Sequence, residues 1–220
     1  MKYAIRRRIL RTNPLPKGKE SMTATKTTDA VDKRCLMNPE QAAALLGWIR
    51  RRPRGGKRLH AFFATLCYCG PRPEEAVAMR VSDVTLPDVD AGDQWSELTR
   101  ILRQHIENDE LKPGDLLFQG EKGGVLAGSV IRRAWRSARK AVLAPHVFAS
   151  PTGKRPYDIR RTRLTKWLND GIPPAQVAEW AGNSVPVLLA TYARCADGQL
   201  PDLKKRLEAA GDLPDLLHAD

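Results

Sequence analysis

The sequence predicts a mostly α-helical domain with a small β-sheet (α+β), and three observations support that prediction. In residues 95–107 and 129–142, apolar residues recur at three- and four-residue spacing, as they do in amphipathic helices. From Tyr157 onward the pattern becomes a series of short helices that end at Gly171, Gly182 and Gly198. Residues 81–86 alternate apolar and polar side chains in a β-rich run, which is typical of a strand.

The chain divides into four segments. Residues 1–13 favour one amphipathic helix that is too short to be stable alone. Residues 14–34 are rich in Thr, Lys and Pro, which predicts an exposed linker. We expect the compact domain to occupy residues 35–210 and a flexible tail to follow over residues 211–220.

Capping residues and glycines set the expected helix boundaries. Asn38 followed by Pro39 is typical of a helix start, because an N-cap side chain and a proline at the first position both suit that place. Between two of the helices, residues 115–118 favour a short extended piece and Gly123-Gly124 a turn. The predicted helices cover residues 41–52, 58–69, 73–80, 95–107, 129–142, 158–169, 174–182, 185–194 and 199–210.

Charge is strongly segregated along the chain, which carries 37 Lys and Arg against 25 Asp and Glu. Residues 81–121 hold ten acidic and three basic side chains, whereas residues 122–166 hold twelve basic side chains and one acid, Asp158. Such a surplus favours a polyanionic partner, nucleic acid before a membrane surface. The basic block is therefore the predicted phosphate-binding surface. Its candidate DNA-binding residues are Arg132, Arg133, Arg136, Arg139, Lys154, Arg155 and Arg161.

Several classes of protein are excluded by what the sequence lacks. No apolar stretch approaches the ~18–20 residues of a membrane span, and the start of the chain has no signal-peptide core, so we expect a cytoplasmic protein. The four cysteines do not have the spacing of a zinc site or a redox pair, and we predict neither a metal nor a cofactor. The motifs of nucleotide hydrolases, serine esterases and zinc proteases are absent.

Three isolated segments carry candidate chemistry. Arg72 lies in a Gly-Pro-Arg-Pro-Glu-Glu segment at a helix junction. Arg160 lies three residues after Tyr157, and Tyr192 lies near the end of a late helix. Taken singly, each of these residues has an ordinary structural explanation. Arg72 is typical of a salt bridge at a helix start, Arg160 of surface charge and Tyr192 of a tyrosine in the core.

In this order, the segments resemble the tyrosine recombinase (phage integrase) family. FFATLCYCGPRPEEAVAMRVSDV (62–84) is similar to the first arginine box of the family. PYDIRRTRLTKWLNDGIPPAQVAEWAGNSVPVLLATYA (156–193) is similar to its second box, in which (His/Tyr)-x-x-Arg precedes Leu-Gly-His-Ser and the tyrosine. The amino-acid sequence of these segments resembles that of actinobacterial-type integrases. Residues 1–13 resemble the last helix of the family's N-terminal core-binding domain, so we expect an N-terminally truncated member.

The resemblance implies the catalytic-domain fold of DNA breaking-rejoining enzymes and site-specific recombination or integration on double-stranded DNA. It implies that Tyr192 attacks a phosphodiester, giving a 3′-phosphotyrosyl link and a free 5′-hydroxyl. Arg72 and Arg160 would stabilise charge on the non-bridging oxygens, a role that suits guanidinium groups. Tyr157 and Asn183 occupy the remaining site positions. No cofactor is implied, because the covalent link retains the bond energy.

The family also implies that copies assemble on DNA. Residues 199–210 form a predicted amphipathic helix with Leu200, Leu203 and Leu207 on one stripe. In the family the corresponding segment often docks on a neighbouring copy. Packing of this helix on its own domain is an equally open alternative.

Two departures from the family pattern bear on activity. The family has a general-acid lysine on a β-hairpin between the boxes, but here the acidic segment 85–97 leads directly into a helix. Lys112 and Lys122 are the only lysines between Val81 and Arg139. Asn183 stands where the family usually has His or Trp, and an amide cannot shuttle a proton. The sequence therefore favours either a working recombinase or a catalytically impaired DNA-binding remnant. A third interpretation, a helix-turn-helix DNA or RNA binder around residues 175–190, gives Arg72 and Tyr192 no role.

Overall fold

The computed structural model describes residues 30–87 and 96–192, and within these residues the chain is mostly helical. All the helices that the sequence predicts there are present, and a short additional one follows the fifth. They are α1 (Pro39–Arg50), α2 (Gly56–Cys69), α3 (Pro73–Ala78), α4 (Ser96–Asn108), α5 (Gly128–Val142), α6 (Pro145–Ala149), α7 (Tyr157–Asn169), α8 (Pro174–Trp180) and α9 (Val185–Tyr192). The predictions for residues 1–13, most of the linker 14–34, residues 199–210 and the tail 211–220 lie outside the described residues.

The start of α1 is the one that the sequence predicts. The Asn38 Oδ1 accepts a hydrogen bond from the Gln41 backbone N–H at 2.7 Å, and the Gln41 side chain accepts one from the Asn38 N–H at 3.1 Å. This reciprocal capping box satisfies two backbone donors that a helix N-terminus otherwise leaves unpaired.

The main hydrophobic core is built around α2, which packs against α1, α4 and α7. Phe62 and Phe63 on this helix are fully buried. The Phe63 ring stacks on Trp135 of α5 at 5.2 Å between centroids, and Phe62 meets Phe118 edge-on at 5.4 Å. Burying these aromatic side chains supplies much of the apolar area that stabilises the domain.

A second hydrophobic cluster joins α7, α8 and α9 to residues at the start of the described chain. Val31 and Cys35 are buried in it together with Leu188 and Tyr192. The Val31 N–H donates to the Thr191 carbonyl at 2.9 Å. The segment before α1 is therefore fixed against the last described helix.

The predicted small β-sheet is wrong for the described residues, in which only isolated bridges occur. The run that alternates at 81–86 begins with a 3-10 helix, Val81–Asp83, because the Asp83 carboxylate accepts from the Arg80 N–H at 2.8 Å and folds the chain into a turn. Arg80 makes a single antiparallel bridge with Leu116. Pro113, beside that bridge, has no N–H with which to extend it.

The predicted turn at Gly123-Gly124 is confirmed. Both glycines have positive φ angles (78° and 69°), a conformation that glycine adopts without strain. The turn closes through a hydrogen bond from the Gly120 N–H to the Gly124 carbonyl at 3.0 Å. It carries Lys122 at its tip, between isolated bridges rather than between strands.

Candidate active site

Arg72 is held in place by a carboxylate on its own helix. It is the N-cap residue of α3, and its backbone N–H donates to Glu75 Oε2 at 2.9 Å. Its Nη1 donates to Glu75 Oε1 at 2.6 Å. The hydrogen bond to Glu75 is the main reason that the pKa of Arg72 is raised, and Tyr157 acts in the same direction. Burial opposes the charge of Glu75, but the bonds from Arg72 outweigh it and lower the pKa of that carboxyl.

The other end of the Arg72 guanidinium reaches the loop after α8. Its Nη2 donates to Asn183 Oδ1 at 2.9 Å, so two of the predicted catalytic residues touch although 111 positions separate them. Gly182 in this loop has φ +58°, and a Cβ there would lie 3.8 Å from Arg72 Nη1. The glycine lets the loop turn beside the guanidinium without backbone strain.

Arg160 joins the segment before Arg72 to the segment before Asn183. It is 1% exposed on α7, where its Nη1 donates to the Gly70 carbonyl at 2.5 Å and its Nη2 to the Ala181 carbonyl at 2.6 Å. Gly70 lies just before Arg72, and Ala181 just before the loop of Asn183. The Arg160 Nε is buried and has no hydrogen-bond partner among the described residues. One guanidinium thus orders both neighbouring segments and keeps a free donor.

Tyr192 is near these groups but buried. At the end of α9 it is 3% exposed and packs in the second hydrophobic cluster. Burial raises the pKa of its phenol to about 12, and Tyr157 adds to the shift, whereas Arg160 and Arg161 oppose it. The hydroxyl is therefore neutral at pH 7, and the surrounding apolar residues disfavour its phenolate.

Tyr157 lies near the buried Arg160 and Tyr192 and also lines an open groove. It is the first residue of α7, and the Arg161 guanidinium lies over its ring at 5.5 Å. The groove has a volume of about 1060 Å³ and is lined by residues of α3, α5 and the segment that leads into α7. Five of the predicted DNA-binding cations line this groove: Arg132, Arg136, Arg139, Lys154 and Arg155. We call it the catalytic groove, because Tyr157, one of the predicted catalytic residues, lines it.

The other two predicted DNA-binding residues, Arg133 and Arg161, have different surroundings. Arg133 lies on α5 but lines a separate cavity. Arg161 pairs with the buried Asp158 at 3.1 Å; burial opposes its charge, but Asp158 and Cys35 raise its pKa.

Arg139 is buried, in contrast to the other predicted DNA-binding residues of α5. It is 3% exposed, and its guanidinium donates to the carbonyls of Thr152 (3.1 Å), Phe148 (3.0 Å) and Ser150 (3.4 Å). Burial lowers its pKa. Its Nε and Nη2 therefore bind the loop after α6, while the residue also lines the groove.

Two carboxylates that support the site were not singled out from the sequence. Glu75 orients Arg72, as described above. Asp158 is 2% exposed and accepts from the Arg155 N–H at 2.8 Å as well as from Arg161. In both cases the acid follows its partner N–H by three residues at a helix start, the spacing of a capping interaction. That spacing was the signal available in the sequence.

The lysines differ in their relation to the catalytic groove. Lys154 lines the groove together with Tyr157. Lys122 is at the tip of the glycine turn, and the backbone N–H of Lys112 donates to Asp115 at 2.8 Å.

Among the described residues, no group of His, Cys, Asp and Glu side chains is arranged to hold a metal ion, and no helix is long and apolar enough to cross a membrane.

The fold is that of tyrosine recombinases. The structure is similar to the crystal structure of XerA recombinase, with a TM-score of 0.55 and 18% sequence identity over 81% of this chain and 64% of that one. It is also similar to XerH site-specific recombinase bound to palindromic difH substrate in a post-cleavage complex (TM-score 0.60, 18% identity, 80% of this chain). A pre-cleavage complex of XerH with difH gives a TM-score of 0.58 and 19% identity. The chain spans 64% of the length of XerA and 54% of XerH. No family model and no curated protein matches the sequence.

Proposed function

We propose that this chain is a tyrosine recombinase-type catalytic domain that cuts and rejoins double-stranded DNA at specific sites. The observation that carries the proposal is the convergence of Arg72, Asn183 and Arg160 from three separate segments, with Tyr192 among their neighbours. The shared fold with XerA and XerH and the two arginine-box resemblances support it. From the wording of those boxes we further propose that the recombination is integration of phage or other mobile DNA.

In the proposed reaction, the Tyr192 oxygen attacks a backbone phosphorus as the bond to the 5′-oxygen breaks. The phenolic proton leaves with solvent, and the 5′-oxygen takes up a proton to become a hydroxyl. Arg72 would stabilise the negative charge on the non-bridging oxygens, which is greatest in the transition state. Arg160 is 1% exposed, so it would add its donors only after DNA binding has opened the site around it. Attack by the 5′-hydroxyl of another strand reverses the chemistry and releases the tyrosine. Exchange joins two cut duplexes, so we also propose that copies assemble on DNA.

We propose Lys154 as the acid that protonates the 5′-oxygen. Its support is position, since Lys154 lines the catalytic groove beside Tyr157 whereas Lys122 does not. A lysine ammonium beside the leaving oxygen supplies the proton that this step needs. Lys154 would thus take the role that the family gives to the hairpin lysine, which this sequence lacks.

The buried position of Tyr192 means that cleavage requires α9 to move. A phenol held at a pKa of about 12 in an apolar cluster is a weak nucleophile at neutral pH. We propose that DNA in the catalytic groove draws Tyr192 towards Arg72 and Arg160, where positive charge favours the phenolate. The same burial favours a second candidate function, a DNA-binding protein of this fold that cuts slowly or not at all.

The test is covalent capture on a nicked suicide duplex library of randomised sequence, in which a cut fragment diffuses away and traps the phosphotyrosyl adduct. We expect the wild-type chain to form an SDS-resistant adduct, Tyr192→Phe to form none, and Arg160→Ala to form ~10²–10³-fold less, the usual loss for a preorganised donor. Lys154→Ala should lose the adduct on ordinary DNA and regain it on DNA with a 5′-bridging phosphorothioate, whose sulfur leaves without a proton. Lys122→Ala is the matched control and should behave as wild type on both substrates.

The outcomes separate the two candidate functions. An adduct that depends on Tyr192 establishes the recombinase chemistry. DNA binding with no adduct on either substrate would refute that chemistry and leave the DNA-binding protein. If Lys154→Ala cuts ordinary DNA as well as wild type does, the assignment of the acid is wrong.

A further inference from the structure

A second basic cavity lies beside the catalytic groove, on the other side of Leu126. It has a volume of about 420 Å³ and is bounded by the loop between α1 and α2, the turn around residues 119–121 and α5. Four arginines line it, with Glu121 as the one carboxylate in the lining: Arg52, Arg54, Arg58 and Arg133. The loop between α1 and α2 lies outside the basic block of residues 122–166.

Arg58 builds the wall of this cavity. Its Nε donates to Asp109 Oδ2 at 2.8 Å and its Nη1 donates to the Gly120 carbonyl at 3.1 Å. These bonds join α2 to the end of α4 and to the glycine turn. Because Arg58 is engaged in this way, it fixes the shape of the cavity and leaves ligand contacts to its neighbours.

The remaining three arginines are available to a ligand. Arg54 and Arg133 are exposed, and neither makes an ion pair among the described residues. The Arg52 guanidinium lies over the Trp48 ring at 5.7 Å, which restricts its motion without neutralising its charge. Three guanidinium groups around one carboxylate give the cavity a net positive charge, and guanidinium is well suited to bind phosphate.

The second cavity adjoins the catalytic groove. Leu126 lines both of them. On α5, Arg132 faces the groove and Arg133 faces the second cavity, as expected for successive residues about 100° apart around a helix. The two basic surfaces are therefore neighbours on α5, within reach of one polyanion.

We propose that Arg52, Arg54 and Arg133 form a second phosphate-binding site, which holds the backbone of the same DNA duplex away from the point of cleavage. The proposal rests on the proposed function for the identity of the partner. It assigns the loop between α1 and α2 a role in affinity and in the length of duplex that is covered. It gives this loop no part in the chemistry.

The experiment compares Arg52→Gln/Arg54→Gln with Arg51→Gln/Lys57→Gln as the matched control. Both pairs remove two positive charges from the same stretch, residues 51–57, but Arg51 and Lys57 do not line the cavity. Duplex binding is measured by fluorescence anisotropy over a range of salt concentrations. We expect the cavity variant to bind about tenfold or more weakly at low salt and to lose about one unit of salt slope per cation. The control should change affinity no more than its net charge requires, with its salt slope unchanged.

Equal losses in the two variants would overturn the proposal, because the effect would then be one of net charge. A cavity variant that binds DNA as wild type does while changing self-association in sedimentation would also overturn it, in favour of a protein contact. Anisotropy on Tyr192→Phe separates this inference from the proposed function. Cavity-dependent binding without any adduct in the wild type refutes the cleavage chemistry alone, and an adduct with cavity-independent binding refutes the second site alone.

Discussion

Glu75 shows how much of the candidate site depends on a side chain that touches no reacting atom. It accepts two hydrogen bonds from Arg72, one from the backbone and one from the guanidinium. The same guanidinium also donates to Asn183. Arg72 is thus directed between a carboxylate and an amide, so its orientation depends on both.

We expect Glu75→Gln to lower the rate of adduct formation while leaving DNA affinity close to that of wild type. The amide can replace one hydrogen bond but not the charge, so Arg72 would be less firmly oriented for the transition state. Single-turnover adduct rates and anisotropy on the same duplex test this. The exposed Glu40 in the first turn of α1, which does not line the groove, gives the control variant Glu40→Gln. A parallel loss of rate in both variants would contradict the positioning role.

The sequence was informative about residues whose partners are near in the chain or belong to a known motif. The two arginine boxes selected Arg72, Arg160 and Asn183, and the structure brings these residues together. Exposure was not predictable from charge, because Arg136 and Arg139 look alike in the sequence. Only the packing of α6 and its following loop shows that Arg139 faces carbonyl groups.

At the scale of elements, α5 therefore carries two kinds of arginine, and the difference can be measured. We expect Arg139→Met to lower the free energy of unfolding by about 1–3 kcal/mol, because it leaves partly buried carbonyl acceptors without their donors. Arg136→Met, on the exposed side of the same helix, should change it by less than about 0.5 kcal/mol. Urea denaturation of both variants is the measurement. Equal stability of the two would show that the carbonyl contacts of Arg139 contribute nothing.

Helices were predictable as elements and the sheet was not. Helix starts such as Asn38 depend on side chains three residues away, which the sequence shows directly. The alternating run at 81–86 carried the pattern of a strand, yet Asp83 capped it into a 3-10 helix. A strand also needs a partner with free donors, and the partner here is limited to Leu116 beside Pro113. Pairing of this kind depends on the tertiary fold.

On the scale of the whole molecule, the two hydrophobic clusters are closed in different ways. The cluster around α2 is enclosed by helices on several sides, whereas the cluster that holds Tyr192 is completed by Val31 and Cys35. The Gly153 N–H donates to the Cys35 carbonyl at 2.8 Å, and the Met37 N–H donates to Thr162 Oγ1 at 3.2 Å. The segment before α1 therefore holds α7 and α9 in one unit.

We expect Val31→Pro to speed hydrogen exchange of the amides in α9 without changing those of α2. Proline removes the N–H that binds the Thr191 carbonyl and replaces a buried valine. Exchange followed by mass spectrometry of peptides from each helix measures the effect. Ala30→Pro is the control one residue earlier. Faster exchange in α2 as well would indicate that the two clusters unfold together.

The hydrogen bond between Val31 and Thr191 also determines which part of the described chain detaches first under tension. Because it joins the two ends of that chain, tension applied at residues 30 and 192 is carried first by this bond and by the packing of Val31. The helices around α2 are loaded only after it has broken. A pulling force would therefore detach the helix of Tyr192 as a first, separate step, at lower force than the rest of the domain withstands.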